Sequence, residues 1–379
     1  MKKHNKKIII SFAFLLIVFF IIMDLLMGAF FIPQSYNDFR VKNSIYHHGL
    51  QPGISTRTVW GPILYNFHTN SLGFRDFSSE NLSLNKDKNE KRILLMGDSH
   101  TEGVGVDYPF TFGGLLQSYG EPRGIEFLNA AAVSYSPKIH YIKAKHLIEE
   151  ENIEIDEIWA FVDISDLQNE LGYEGFEADN STFTHFQMKL NRFLKNNSFT
   201  WFTISEIKNN KEINALSETI TAFNQEGLGA NKNTVALYND FFSHFDDETL
   251  LRNPEFHGVS EWIYSAEFIP LARKGIESGT LYMSKLNAVC RENDIALKIS
   301  VHPWQSQVIR GDTTNLYVEA WREFCIKENI DFVNLFPVFI NHENPYFITE
   351  TCYITNDNHW NEIGHHRVYE YLKSNLPDQ

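Results

Sequence analysis

From Lys91 to the C-terminus, short and almost wholly apolar runs alternate with longer stretches in which apolar residues recur every three or four positions. Unbroken apolar runs suit strands buried on both faces, and the longer period suits helices laid over them. Strands are expected at Arg92–Met96, Glu126–Ala130, Glu157–Val162, Ala296–Val301 and Asp331–Leu335. Helices are expected at Phe110–Tyr119, Lys138–Glu149, Ser278–Glu292, Leu316–Glu328 and Glu362–Ser374. This alternation predicts an α/β fold: a parallel five-stranded, doubly wound sheet between two helical layers.

A different pattern opens the chain. Lys2, Lys3, Lys6 and Lys7 precede an apolar stretch from Ile8 to Met23 that resumes after Asp24 through Ile32. Residues 1–32 therefore read as a basic tail and a transmembrane anchor, with Asp24 near the outer interface, where a carboxylate costs far less than at the midplane. Basic flanks stay in the cytoplasm, so the body is expected to be exported, periplasmic or extracellular. A cleaved signal peptide is the alternative, and Gly28-Ala29 offers small residues; the long apolar region without a clear A-x-A site favours an uncleaved anchor.

Residues 33–90 form a polar approach segment rich in Asn, Ser, Gly and His, and the folded body, 91–379, is expected to begin near Lys91. A helical insertion at about 167–273, with Trp201, Phe202 and Trp262, interrupts the strand–helix alternation; it reads as a lid or binding subdomain, or as a decoration. The chain of 379 residues carries a net charge of −15, and without the lysine-rich start it is more acidic still. Nucleic acid is excluded as a partner on that ground, since phosphate binding needs a concentrated basic surface. Cys290, Cys325 and Cys352 allow one disulfide and a free thiol, or three buried thiols, and are too few for a zinc site. His47 and His48 lack further ligands that would make them a metal site.

Two segments carry chemistry. Gly97-Asp98-Ser99 follows the first expected strand, and Asp357-Asn358-His359-Trp360 precedes the last expected helix. In open α/β sheets, loops at the carboxyl ends of strands collect functional groups, and both segments belong there. A serine hydroxyl needs a base to take its proton and a carboxylate to hold that base in one tautomer; Ser99, His359 and Asp357 supply the set. Taken singly, Gly-Asp-Ser is also an ordinary turn and a His beside a Trp an ordinary packed residue.

In combination, Ile93 to Gly103 and Asp357 to His365 resemble the SGNH, or GDSL-type, hydrolase superfamily, in particular its membrane-anchored bacterial members acting on acyl groups of cell-envelope polysaccharides. The resemblance covers about residues 92–165 and 275–375 and implies a three-layer α/β/α, flavodoxin-like domain with Ser99 as nucleophile, His359 as base and Asp357 as its orienter. In much of the superfamily the acid precedes the histidine by three residues, a position held here by Asn356; the spacing of two is similar to the Asp-x-His-Trp pattern of the alginate acetylation proteins. The oxyanion hole implied by the resemblance would combine Ser99, Ser134, which stands where the family places glycine, and Ser165, which stands where the family has asparagine. A hydroxyl reaches less far than an amide, and losing such a donor costs about 3 kcal/mol of transition-state stabilisation.

Further residues are expected around the substrate. Asp163 and Asp166 can make the site more acidic and raise the pKa of His359, or serve as strand-end and helix-cap carboxylates. His302, Trp304 and Trp360 are candidate substrate contacts, Trp304 by stacking on a sugar or otherwise as a buried loop anchor. The expected activity is a serine esterase or O-acyltransferase working on acyl esters, acetyl foremost, of a cell-envelope glycan, with no metal or organic cofactor. Two rivals stand beside it: a lipase or thioesterase, and a catalytically weak or inactive glycan-binding or assembly protein, which the serines at 134 and 165 motivate.

Overall fold

The structure, a computed structural model, describes residues 2–32, 39–60, 63–179, 181–205, 207, 258–341, 343–355, 357–374 and 376. These fall into two compact units, one drawn from residues 1–38 and 179–230, the other from 39–178 and 231–379.

In chain order the elements are α1 (Lys2–Phe31), β1 (Arg40–Asn43), β2 (His47–Leu50), β3 (Ser55–Trp60), β4 (Ile63–His68), β5 (Lys91–Met96), α2 (Ser99–Glu102), α3 (Phe112–Gly120), β6 (Ile125–Asn129), α4 (Pro137–Glu149), β7 (Glu157–Val162) and α5 (Asp166–Gly172). There follow α6 (Thr182–Asn197), α7 (Ile269–Glu292), β8 (Ala296–Val301), α8 (Gln305–Arg310), α9 (Leu316–Glu328), β9 (Asp331–Asn334), α10 (Phe336–Phe339), α11 (Pro345–Cys352) and α12 (Glu362–Ser374).

In the larger unit β5 to β9 pair only in parallel, in the order β6-β5-β7-β8-β9. Successive side chains of each strand enter opposite cores. Leu94, Met96, Ile158, Ala160, Ile299 and Val301 pack with α4, α7 and α9, whereas Ile93, Leu95, Phe127, Trp159 and Phe161 pack with α3 and α12. The period-2 geometry of a strand thus turns each apolar run into two buried faces, and both need a helical cover. Burying one such side chain contributes roughly 1.5–3 kcal/mol. The fold is the expected three-layer α/β/α arrangement.

Most expected elements match to within a residue or two, and α7 departs furthest, beginning at Ile269 rather than Ser278. Its early turns contain Gly275, a weak helix former, but a Cβ there would lie 2.7 Å from the Leu167 carbonyl oxygen. Close packing of α7 on α5 outweighs local propensity.

The approach segment is structured over residues 39–60 and 63–90. β1–β2 and β3–β4 are antiparallel hairpins whose Phe39, Leu50, Tyr65 and Phe67 form a third core with Ala132, Tyr135 and Ile139. Arg75, 1% exposed, donates to the carbonyls of Glu102, Gly103 and Val106, so the segment is bonded into the turn that follows β5. The three cysteines are free and buried.

The smaller unit contains α1 and α6. Ile10–Phe31, with mean hydropathy 2.8, is long and apolar enough for a membrane span or a signal sequence. Within this unit the Asp24 carboxylate accepts hydrogen bonds from the Thr200 backbone N–H and hydroxyl at 2.8 and 2.7 Å, which lowers the cost of an acid in an apolar helix. The expected insertion is therefore split: α6 belongs with α1, Trp262 and the start of α7 belong with the sheet, and residues 208–257 lie outside those described.

Candidate active site

The strand order is that of a flavodoxin-like doubly wound sheet, whose topological switch point lies between β5 and β7. The turn after β5 is compressed there. A Cβ on Gly97 would sit 2.0 Å from the Thr101 hydroxyl, so only glycine fits. Asp98 then caps α2 by accepting the His100 backbone N–H at 3.0 Å, and this sets Ser99 as the first residue of a single helical turn.

The other candidate segment is a tight loop ahead of α12. Asp357 N–H donates to the Ile354 carbonyl and Ile354 N–H to the His359 carbonyl, at 3.1 and 2.8 Å, while Tyr353 and Trp360 bridge as a minimal antiparallel pair. Inside this loop Asp357 Oδ1 accepts the His359 backbone N–H at 2.9 Å and also faces the ring Nδ1 in a short contact. The ring's Nε2 lies 2.7 Å from Ser99 Oγ. Burial alone would raise the Asp357 pKa, but its bonds to His359 and Trp60 bring it below the ordinary carboxylate value, so it is anionic at neutral pH. Asn356, at the position of the usual superfamily acid, lies outside the described residues.

Two supports of this loop come from segments whose sequence carries no motif. Trp60 Nε1–H, at the end of β3, donates to Asp357 Oδ2 at 2.8 Å, and the Gln305 side-chain amide donates to the Asp357 carbonyl. A tryptophan in a polar approach segment offers no signal of such a role before folding.

Of the expected oxyanion donors, Ser99 and Ser134 keep backbone N–H groups with no partner among the described residues. Ser134 occupies the left-handed region with φ of 62°, the conformation glycine would take without strain. Its neighbours hold it there. Tyr173 OH donates to the Ser134 carbonyl at 2.8 Å, Val133 N–H donates to Glu102 Oε2 at 2.9 Å, and His48 Nε2 donates to the Val133 carbonyl at 2.7 Å. Glu102 is fully buried and paired in a fork with Arg40 at 2.5 and 2.8 Å. Ser165 departs from expectation: its hydroxyl and N–H both donate to Asp163 Oδ1, at 2.5 and 2.7 Å, so the hydroxyl is committed away from an oxyanion.

The expected substrate contacts are also corrected. Asp163, Asp166, His302, Trp304 and Trp360 are all buried, none more than 9% exposed, and form the floor beneath the triad rather than a surface that a sugar can reach. Trp304 is the loop anchor of the two readings, its Nε1–H donating to Asp163 Oδ2 at 2.7 Å. Trp360 stacks on Phe339, meets His100 and His365 edge-on and lies tilted against His302. Asp166 starts α5, and burial together with nearby Asp163 raises its pKa well above the ordinary carboxylate range. Sequence reading missed His100 in this floor, although it sits in the nucleophile motif itself.

No family model matches the chain, and no curated protein does. Among solved structures it is similar to a G-D-S-L family protein from Desulfitobacterium hafniense DCB-2, at 11% identity and a TM-score of 0.39 over 76% of this chain and 100% of that one. It is similar as well to an acetylxylan esterase from Geobacillus stearothermophilus, at 10% identity and a TM-score of 0.39 over 77% of this chain and 98% of that one. The five strands follow the order of a flavodoxin-like doubly wound sheet, and the Gly97-Asp98-Ser99 turn closes the first of them.

Proposed function

We propose that the protein is a serine esterase or O-acyltransferase acting on acyl esters, acetyl foremost, of a cell-envelope glycan. The observation that carries this reading is the connected path from Ser99 Oγ through His359 to Asp357. His359 Nε2 takes the hydroxyl proton as Oγ attacks the ester carbonyl, and Asp357 holds the Nδ1–H tautomer and stabilises the imidazolium. The Ser99 and Ser134 N–H groups serve the oxyanion. His359 then returns the proton to the departing alkoxide, leaving an acyl-serine that water or a sugar hydroxyl resolves.

A glycan substrate is supported by exposed His47, which packs its ring 4.8 Å from Tyr173 and 5.1 Å from Phe176. Tyr173 is tied to Ser134, so this aromatic flank adjoins the proposed oxyanion turn, and such rings stack on the C–H faces of sugars. The lysines in the first turns of α1, ahead of its apolar span, support an exported catalytic unit. The bond from the Ser165 hydroxyl to Asp163 favours a second reading, a weak or inactive glycan-binding protein.

A fluorophosphonate probe applied to the full-length protein in detergent tests the choice. Labelling of wild type and none of Ser99→Ala supports the enzyme; a folded wild type that takes up no label supports the binding protein. Preference for long-chain esters over acetylated sugars would move the assignment to a lipase or thioesterase.

A further inference from the structure

Asp98, His100, Asp163 and His302 cluster beneath the triad, each at least nine-tenths buried. Their ligand atoms all lie within 4.8 Å of one another. The contacts of His100 account for the cluster without a metal ion.

Both ring nitrogens of His100 face acceptors. Nε2 lies 2.9 Å from the Asn358 carbonyl oxygen, which can only accept. Nδ1 lies 3.3 Å from Asp163 Oδ2 and 3.8 Å from Asp98 Oδ1. Asp163 already accepts from Ser165 N–H, Ser165 OH and Trp304 N–H, a set of donors that fits a carboxylate anion and leaves it no proton to give. A neutral imidazole would point a lone pair at an acceptor on one side. His100 is therefore doubly protonated, the one cation among these side chains. Burial lowers its pKa, but Asp163 and Asp98 more than reverse that and bring it to about 10.

Its position matters because it belongs to both catalytic segments at once. His100 directly follows Ser99, and Asn358 lies between Asp357 and His359. We infer that His100 is a positioning residue for the proposed acyl transfer: its ring, whose centroid lies 4.8 Å from that of His359, straps the nucleophile turn to the acid–base loop through its bond to the Asn358 carbonyl. The titratable groups facing it are Asp98 from the nucleophile turn, Asp163 and Asp166 from the β7–α5 junction, His302 after β8, His359 in the catalytic loop and His365 on α12.

This inference rests on the triad reading, and one experiment separates the two. Rates of fluorophosphonate labelling are followed from pH 5 to 10 for full-length wild type, His100→Phe and His100→Gln, together with circular-dichroism melts and zinc content by mass spectrometry. The Phe variant keeps bulk but loses the donor; it is expected to label about tenfold more slowly at pH 7. The Gln variant keeps a donor for Asn358 and is expected to recover the rate. The wild-type rate in the Phe variant, a folded Gln variant as slow as the Phe variant, or one zinc per chain that the variants lose would each overturn the strap. If the Phe variant does not fold, His100→Leu takes its place. Absence of labelling in wild type overturns the triad reading and this inference together.

Discussion

The indole N–H of Trp60 donates to Asp357 Oδ2 at 2.8 Å across 297 positions of sequence, and the same ring meets His359 edge-on at 5.0 Å. One residue of the β3–β4 hairpin thus occupies the carboxylate oxygen that His359 does not use and walls the imidazole. With Oδ2 bonded to Trp60, Oδ1 is left for the ring and the His359 backbone. The hairpin belongs to the site, not only to the approach to it.

Trp60→Phe keeps most of the wall and removes the donor. A hydrogen bond to a charged group contributes about 1.5–3 kcal/mol, so kcat for acetyl ester hydrolysis should fall roughly ten- to hundredfold with KM little changed. Steady-state kinetics on p-nitrophenyl acetate measure it, and an unaltered kcat would remove Trp60 from the machinery.

Ser134 offers an opposite case, a residue that strains its own turn. A left-handed backbone costs a non-glycine residue about 1–2 kcal/mol, and the greater freedom of glycine in the unfolded chain returns about 0.4–1 kcal/mol of that. Ser134→Gly should therefore stabilise by up to about 1 kcal/mol without loss of labelling at Ser99. Denaturant titration reads the stability; a clear loss would mean that the serine side chain holds the turn.

Glu102 gives a pH signature. Burial alone would raise its pKa, but Arg40, Arg75 and the Val133 N–H bring it below the usual value of 4.5. A depressed carboxylate contributes stability that is present above its unfolded pKa and is lost as pH falls through the folded one. Glu102→Gln, which leaves Arg40 without its charge partner, should cost about 3 kcal/mol at pH 7, and the gap from wild type should begin to narrow only as pH falls below 4.5. Urea melts across that range test the sign.

His100 acts at the other end of the scale. With its folded pKa raised from 6.5 to about 10, its contribution is complete below pH 6.5 and is lost as pH rises through about 10. Wild type should lose stability across that window, and His100→Phe should show a flatter profile. Parallel profiles in guanidinium titrations would show that the ring is neutral in the folded protein.

Much of this was readable in advance because it is local. Apolar runs such as Ile93-Leu94-Leu95-Met96 bury both faces only in a covered parallel sheet, and Gly97-Asp98-Ser99 is legible because a compressed turn and a helix cap demand those residue types. Trp304 and Trp360 were harder: an aromatic ring in a loop has the same sequence signature whether it meets a ligand or the floor of the site. Trp60, Arg40 and Glu102 carry no period and no motif, and the approach segment gave no sign that it folds into hairpins against Tyr135 and Ile139.

The residue pattern alone determined the strand and helix alternation, the apolar N-terminal helix and the identity of a serine, a histidine and an acid with matching chemistry. Which side chains surround them, that Ser165 turns to Asp163, and that His100 joins both catalytic segments were decided only by tertiary packing. The physical reason is reach: propensity and periodicity act over a few neighbouring residues, whereas hydrogen bonds, burial and charge act through space on groups that the folded chain brings together from 297 positions apart or from the next residue alike.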